Sequence, residues 1–282
     1  MSRSDLAYRR APLTLRGATF AWGERTFVMG IINATPDSFS GDGIGADASA
    51  AVQRARRFAE AGCHILDIGG ESTRPGHTPV SERDELRRVL PVIEAVRAAV
   101  DTPISIDTFK PAVARAALEA GADMVNCVWG APPAIAEIAA RAKAPLVIMH
   151  NRAVPDYDGD VVDIVIESLA RSVGDAEAVG VQTEQIIVDP GIGFGKTAAH
   201  NIQILARLDE FATRLPYPLL VGTSRKSFIG ALTALPVEQR AFGTAASVTL
   251  AIARGADIVR VHDVEDLMAT VAVADAIVRD SA

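Results

Sequence analysis

The feature that most constrains the fold of this chain is a repeated alternation between short apolar runs and longer segments with helical spacing. The apolar runs lie at residues 26–32, 64–68, 103–106, 124–125, 145–149, 185–188, 218–221 and 257–261, and a helical pattern follows each of them. Eight βα units in about 250 residues are typical of a (β/α)8, or TIM, barrel. We therefore predict an α/β fold with one domain over residues 1–282, in which a short hairpin at 13–26 precedes a barrel at 27–280.

Signals at the ends of the helical segments support this division. Ser81, followed three residues later by Asp84, is a capping signal for the second helix. We expect the apolar face of that helix to contain Leu86, Leu90 and Ile93 at helical spacing. Glycines at positions 62, 121 and 255 come just before apolar runs, and they predict helix C-caps that lead directly into the next strand.

Composition limits the classes of partner. Acidic and basic residues are mixed along the chain and the net charge is -7, which argues against a nucleic-acid-binding tract. No apolar run approaches the roughly 18 residues of a membrane span, and the first residues lack a signal-peptide core. Cys63 and Cys127 have no metal-type spacing. We expect a soluble cytoplasmic protein with reduced cysteines and with neither membrane nor nucleic acid as a partner.

Polar residues follow nearly every predicted strand. The strand ends carry Asn33, Glu71 to Arg74, Asp107, Asn126, His150, Asp189, Ser224 to Lys226, Arg260 and His262. In a closed parallel barrel these ends meet at one mouth, whereas a doubly wound open sheet places its ligands at a single switch point. The glycine-rich fingerprint of such a sheet is also absent after the first run. The distribution favours the barrel.

Two other kinds of site have weaker support. Residues 191–197, GIGFGKT, look like a phosphate-binding loop, but the Walker spacing requires glycine where Pro190 lies. His150 and His262 together with Asp107 and Asp189 suggest a metallohydrolase. Barrels of that class usually begin with two histidines one residue apart on the first strand, and the first run contains none.

The types of residue at the mouth indicate a class of ligand. Carboxylates and an amide suit a planar heterocycle with adjacent N–H donors, because a carboxylate accepts two parallel hydrogen bonds. Arg74, Lys226, Arg260 and His262 carry the opposite charge and suit a phosphate or diphosphate. A heterocycle joined to a diphosphate satisfies both halves of the ring.

Seven motifs then resemble one family, dihydropteroate synthase. They are MGIINATPDSFS at 29–40, DIGGESTRPG at 67–76, SIDT at 105–108, VIMHNR at 147–152, DPGIGFGK at 189–196, SRK at 224–226 and RVHDV at 260–264. They occur in order across nearly the whole chain. The resemblance implies that p-aminobenzoate displaces diphosphate from (7,8-dihydropterin-6-yl)methyl diphosphate, which gives 7,8-dihydropteroate in folate biosynthesis.

The resemblance also implies a role for each matching residue. Catalytic roles would fall to Asp107, Lys226, Arg260 and His262. The pterin would be held by Asp107, Asn126, Met149, Asp189, Gly222 and Lys226. The diphosphate would be bound by Asn33, Thr73, Arg74, Arg260 and His262, and p-aminobenzoate by Phe39, Arg74, Pro75, Lys226 and Ser227. Asn33 would also help to hold Mg²⁺, the implied cofactor, and a homodimer would form through the late helices.

The chain departs from the family pattern at two places. Cys127 follows Asn126 where the family usually has aspartate, and Asp42 lies one place later than the usual acid of the first loop. By strand alternation Asn126 would enter the barrel while Cys127 faces the helices. Cys127 keeps a non-catalytic pterin-binding protein open as an alternative. A pterin-binding methyltransferase is a second alternative, because its barrel shares the carboxylate-amide pocket.

Overall fold

The computed structural model describes residues 10–34, 48–71 and 79–279. Its strands are β1 Leu13–Leu15, β2 Ala18–Phe20, β3 Phe27–Asn33, β4 Ile65–Gly69, β5 Ile104–Asp107, β6 Met124–Cys127, β7 Leu146–Met149, β8 Ile186–Asp189, β9 Leu220–Val221 and β10 Ile258–Val261. Its α-helices are α1 Ala48–Glu60, α2 Glu82–Ala99, α3 Pro111–Glu119, α4 Pro133–Ala142, α5 Val161–Ala178, α6 Ala198–Ala206, α7 Leu208–Arg214, α8 Ser227–Thr233, α9 Ala241–Ala253 and α10 Val264–Val278. Short 3₁₀ turns lie at Thr183–Gln185 and Val237–Gln239. Within these ranges, no helix is long and apolar enough to cross a membrane.

The main sheet is parallel and closes on itself. Its strands are hydrogen-bonded in the order β8-β7-β6-β5-β4-β3-β10-β9. The two edge strands then meet, because Val188 N–H donates to Pro218 O at 2.9 Å and Val188 bridges Leu219 in parallel register. Helices between successive strands cover the outside of the sheet. The predicted (β/α)8 barrel is confirmed.

The predicted N-terminal hairpin is also present, and it covers the amino-terminal end of the barrel. Strands β1 and β2 pair antiparallel around Arg16 and Gly17, whose φ angles of 48° and 78° make a tight turn. Phe20 packs against Phe27 of β3 with ring centroids 4.8 Å apart. Because the hairpin fills this end, the open mouth that the described residues form lies at the carboxyl ends of the strands.

Five of the eight barrel strands end one or two residues later than the sequence predicted. Asn33, Asp107 and Asp189 are the last residues of β3, β5 and β8, and Asn126 lies inside β6. The strands continue through them because a parallel ladder pairs backbone groups whatever the side chain is. These four side chains therefore stand on the barrel wall rather than on loops.

The helix ends match the sequence signals, and the face of α2 matches in part. Ser81 caps α2 by accepting from Asp84 N–H, and the glycines at 62, 121 and 255 have positive φ. Ile93 is buried as predicted, and Leu86 and Leu90 are half-buried and pack against the core. The periodicity did not predict the burial of Glu85, which binds Lys110.

Candidate active site

The interior of the barrel changes from apolar to polar along its axis. Its lower layer contains Met29, Ile65, Met124, Val147, Ile187, Leu220 and Ile258, which form one cluster with the hairpin. Strand alternation then turns Asp67, Ser105 and Arg260 inward, and above them Asn33, Asp107, Asn126, Met149, Asp189 and Gly222. Asn33, Asp107, Asn126 and Asp189, four of the polar strand-end residues predicted from the sequence, thus lie at the same end of the barrel.

Arg260 lies at the centre of a buried ionic cluster. Its Nε donates to Asp67 Oδ2 at 2.6 Å, and one terminal nitrogen donates to Asp107 Oδ2 at 2.7 Å. Asn126 Nδ2 donates to the same oxygen of Asp67 at 3.1 Å. One cation therefore serves two buried carboxylates, and the cluster keeps an excess negative charge.

The excess negative charge affects the pKa of Asp107. Burial raises the pKa of Asp107 to about 7, the guanidinium of Arg260 opposes the rise, and the carboxylate of Asp67 adds to it. Asp67 Oδ1 and Asp107 Oδ1 are buried without a hydrogen-bond partner among the described residues. Buried acceptors without partners are costly, so this part of the mouth favours a ligand that brings N–H donors or positive charge.

Asp189 and Lys226 lie on the opposite, β8–β9 side of the mouth. Asp189 Oδ1 accepts from Gly191 N–H at 2.7 Å. Burial raises the pKa of Asp189, while that N–H group and the charge of Lys226 lower it. The amine of Lys226 lies over the Phe194 ring, 3.8 Å from the centroid, in a cation–π contact. This side of the mouth offers an acceptor, a cation and an aromatic face.

The segment after β9 joins the mouth to the following strand. Ser224 Oγ accepts from His262 N–H at 3.1 Å and lies 3.0 Å from His262 Nδ1. Arg225 takes a left-handed conformation with φ of 57°, and its Nε donates to Asp263 Oδ2 at 2.9 Å. Ser227, the first residue of α8, is exposed. These contacts fix Lys226, the N-cap residue of α8, near β10.

Four residues that the sequence assigned to the site lie outside the described residues: Phe39, Thr73, Arg74 and Pro75. Asn33 ends β3 and is half-buried, Met149 ends β7 and is buried, and Gly222 directly follows β9. A Cβ on Gly222 would lie 3.7 Å from the Cβ of Arg260. These three positions border the ionic cluster at the barrel mouth.

Sequence reasoning missed three residues that help to build this mouth. Asp67 binds both Arg260 and Asn126, Phe194 supports Lys226, and Lys196 holds the loop that carries Phe194. Asp67 could have been found as a charged residue at an inward position of the buried run ILDIG. The other two lie in a glycine-rich loop, whose sequence does not show which residues contact one another.

Comparisons with known proteins agree with this architecture. The sequence model of the family described as pterin binding enzyme matches residues 29–262. A dihydropteroate synthase of Synechocystis sp. is 49% identical over 282 residues, covering 96% of this chain and 97% of its own. The chain belongs to the dihydropteroate synthase family.

Solved members of the dihydropteroate synthase family share the fold closely. A Clostridium difficile dihydropteroate synthase, solved in the presence of pteroic acid, has a TM-score of 0.89 and 45% identity over 92% of this chain and 99% of its own. A Xanthomonas albilineans dihydropteroate synthase with 4-aminobenzoic acid has a TM-score of 0.88 and 44% identity over 94% and 97%. The family and the activity predicted from the sequence, a transferase that makes 7,8-dihydropteroate, are thereby confirmed.

The departure from the dihydropteroate synthase pattern at Cys127 lies away from the mouth. Cys127 is fully buried in the apolar cluster between the strands and the helices, and burial raises the pKa of its thiol to about 12. Asn126, the preceding residue, points inward to Asp67. The prediction that alternation would separate these two side chains is confirmed.

Proposed function

We propose that this dihydropteroate synthase holds the pterin of its diphosphate substrate between the two sides of the mouth. Asp189 would accept from the adjacent N–H donors of the ring, Lys226 would bind its carbonyl side, and Asn126 and Asp107 would complete the pocket, with Met149 and Gly222 against the ring. The observation that carries the proposal is the cluster in which Asp67 and Asp107 share Arg260. Its unpaired acceptors match the donors of a pterin.

The diphosphate would lie on the β10 side of the mouth, against Arg260, His262 and Asn33. Thr73 and Arg74 would complete this part of the site. Asn33 offers a carboxamide oxygen, and Mg²⁺ commonly takes one or two protein oxygens and receives its other ligands from phosphates and water. The donor set therefore fits Mg²⁺, whose chemistry here is to neutralise negative charge on the leaving diphosphate.

The reaction would need charge stabilisation rather than a side-chain nucleophile. As the C–O bond to diphosphate breaks, Arg260 and His262 stabilise the growing negative charge on the leaving group. The electron-rich dihydropterin spreads the positive charge that forms on its methylene carbon, and the Asp107 carboxylate stabilises it. The amine of p-aminobenzoate attacks that carbon and loses a proton, which gives 7,8-dihydropteroate and diphosphate.

The second substrate would approach from the outer side of the mouth. Ser227, exposed at the start of α8 beside Lys226, would offer its backbone N–H to the carboxylate of p-aminobenzoate. Phe39, Arg74 and Pro75 would close over the aminobenzoate ring. Sulfonamides should then compete with p-aminobenzoate, because they have an amine and an anionic end at similar separation.

We also propose a homodimer built on the late helices. An apolar groove with a volume of about 340 Å³ lies between α6, α8 and α9. Leu232 and Leu250 line this groove and are 65% and 53% exposed, and Phe242 on α9 is 90% exposed. A contiguous exposed apolar patch marks a protein–protein interaction surface. A second copy of the chain would cover these side chains. A cytoplasmic location and a single domain over residues 1–282 complete the proposal.

One assay distinguishes the candidate functions. Purified protein is incubated with (7,8-dihydropterin-6-yl)methyl diphosphate, p-aminobenzoate and Mg²⁺, and diphosphate and 7,8-dihydropteroate are measured over time. We expect one diphosphate per dihydropteroate. Pterin binding without either product would instead favour the non-catalytic protein, and methyl transfer to a corrinoid would favour the methyltransferase.

A further inference from the structure

The loop between β8 and α6, residues 190–197, depends on a few hydrogen bonds for its conformation, among them Gly193 N–H to Asn201 Oδ1 at 2.7 Å. Gly191, Gly193 and Gly195 have φ angles of 70°, 83° and 55°, and glycine loses more conformational freedom on folding than any other residue. The loop nevertheless contacts both proposed pterin ligands. Gly191 N–H donates to Asp189 at 2.7 Å, and a Cβ on Gly193 would lie 2.7 Å from Lys226 Cδ. The position of the loop therefore affects the pterin pocket directly.

The amine of Lys196 ties this loop to the end of β7. Its Nζ lies 3.0 Å from Gly191 O, 3.1 Å from Phe194 O and 2.9 Å from His150 Nδ1. An ammonium group has three N–H donors, so these three acceptors use all of them. His150 directly follows β7, and the amine thus joins two neighbouring loops of the barrel mouth.

The protonation states of both partners allow this arrangement. Burial lowers the pKa of His150 to about 3, and the charges of Lys196 and Arg152 lower it further, so the ring is neutral and its Nδ1 lone pair accepts. Burial also lowers the pKa of Lys196 to about 7, while the carboxylate of Asp189 raises it and the charges of Lys226 and Arg152 lower it. The ammonium form therefore predominates below about pH 7.

Close contacts with residues 150–157 restrict the 190–197 loop to one position. Tyr157 Oη donates to Gly195 O at 3.0 Å, and a Cβ on Gly195 would lie 2.2 Å from Arg152 O. A Cβ on Gly191 would lie 1.9 Å from His150 O. The two loops are pressed together from residue 191 to residue 195, and Lys196 lies between them.

We propose that Lys196 is a positioning residue of the pterin pocket: it holds the 190–195 loop against the end of β7 and so sets where Phe194 and Gly193 meet Lys226. It acts through the Phe194 ring and the Lys226 amine rather than on the substrate itself. The inference rests on the proposed function, because it takes Asp189 and Lys226 as pterin ligands.

The test compares two ligands that occupy different parts of the mouth. In Lys196→Met the apolar length is kept and the three donors are lost. Titration calorimetry with 6-hydroxymethylpterin should show affinity weakened by about tenfold, which corresponds to about 1.4 kcal/mol. The affinity for inorganic diphosphate with Mg²⁺ should stay within about twofold. Lys143→Met, the same change at the exposed C-cap of α4, should alter neither.

Chemical rescue separates positioning from general loss of structure. Alkylation of Lys196→Cys with 2-bromoethylamine forms a thioether and releases bromide, which restores an amine at nearly the original reach. Cys63 and Cys127 are buried, so the native thiols should stay unmodified. We expect the alkylated protein to regain most of the pterin affinity that the unmodified variant lacks. No recovery would overturn the proposal.

Two further outcomes separate this inference from the proposed function. Unchanged pterin affinity in Lys196→Met, with affinity lost in Lys226→Met, would overturn the role of Lys196 alone. Unchanged affinity in Lys226→Met as well would overturn the proposed pterin pocket.

If Lys196→Met shows no cooperative thermal unfolding, Tyr157→Phe takes its place. That variant removes one bond to Gly195 and should weaken pterin binding by about threefold, a loss under 1 kcal/mol; wild-type affinity would overturn the proposal.

Discussion

At the scale of single residues, the mouth is defined by carboxylates that outnumber their buried cation. Asp67 and Asp107 share Arg260, and an oxygen of each carboxylate has no partner among the described residues. Leaving such charge uncompensated in a buried site is unfavourable. A ligand that brings donors, or a transition state with positive charge beside Asp107, relieves it. The same imbalance that costs stability would thus favour the proposed reaction.

Asp67→Asn tests whether the charge of Asp67 acts on Asp107. Asp67 raises the pKa of Asp107, whose value is about 7, so removal of its charge should lower that pKa. If the Asp107 carboxylate is the active form, kcat/KM rises with pH through this pKa, and the acidic limb should move to lower pH in the variant. Steady-state rates from pH 5 to 9 measure it. An acidic limb that stays at the wild-type pH would contradict the coupling.

The sequence predicted the polar ring but not all of its partners. Asn33, Asp107, Asn126 and Asp189 were recognisable because each follows an apolar run, and a barrel brings such positions together. Asp67 was overlooked because it lies within its run, 193 residues from Arg260. Its role depends on a contact that only the closed barrel creates.

At the scale of elements, the β8–α6 loop packs directly against the backbone that follows β7. Gly191 combines a φ of 70° with a Cβ position 1.9 Å from His150 O, so no larger residue fits there without moving backbone. Glycine adopts this φ without strain, and the close approach of the His150 carbonyl leaves no room for a side chain. The loop is built for one conformation, which agrees with its proposed part in the pterin pocket.

A matched pair of glycine substitutions measures this constraint. Gly191→Ala should lower the free energy of unfolding by several kcal/mol, since it adds a backbone clash to an unfavourable φ. Gly174→Ala in the middle of α5, where a Cβ would meet nothing within 4 Å, should raise it by about 0.5–1 kcal/mol through helix propensity. Urea unfolding gives both values. Equal effects of the two changes would contradict the description of the loop.

The ends of the helices could be predicted from the sequence because their signals are local. The cap at Ser81 and the C-cap glycines depend on residues within one turn of each other, so the sequence located them correctly. The buried face of α2 depends on Glu85, whose partner Lys110 lies 25 residues further along the chain. Periodicity assigns acidic residues to the surface, and such a distant partner is invisible to it.

At the scale of the whole molecule, a buried histidine couples folding to pH. His64 Nδ1 accepts from Val28 N–H at 3.0 Å, which requires a neutral ring, and burial lowers the pKa of His64 to about 4. The unfolded chain therefore binds the proton more readily than the folded one below pH 6.5. The stabilising contribution of His64 is present above pH 6.5 and is lost as pH falls toward about 4.

Comparison with His64→Gln isolates this contribution. Asp107, whose raised pKa acts in the opposite direction over much of the same range, is common to both proteins and should largely cancel. We expect the stability advantage of the wild type over His64→Gln to shrink steadily between pH 6.5 and about 4. Urea unfolding at matched pH measures it. A difference that does not vary with pH would rule out the neutral, accepting ring.

The proposed dimer makes a separate prediction about the late helices. Leu250→Arg places charge on the exposed apolar face of α9 and should convert a two-chain species to a one-chain species. Val154→Arg, at a position that is 61% exposed before α5, should leave the mass unchanged. Light scattering after gel filtration reports both. A one-chain wild type, or a two-chain Leu250→Arg variant, would contradict the proposed interface.

The central claim is that the mouth between Asp107 and Lys226 binds the pterin, and Asp189→Ala tests it most directly. Calorimetric titration of 6-hydroxymethylpterin is compared in the wild type, in this variant and in Asp209→Ala, which removes an exposed carboxylate at the start of α7. We predict an affinity loss of at least about a hundredfold in Asp189→Ala, or about 2.8 kcal/mol, and wild-type affinity in Asp209→Ala. Wild-type affinity in Asp189→Ala would contradict the account.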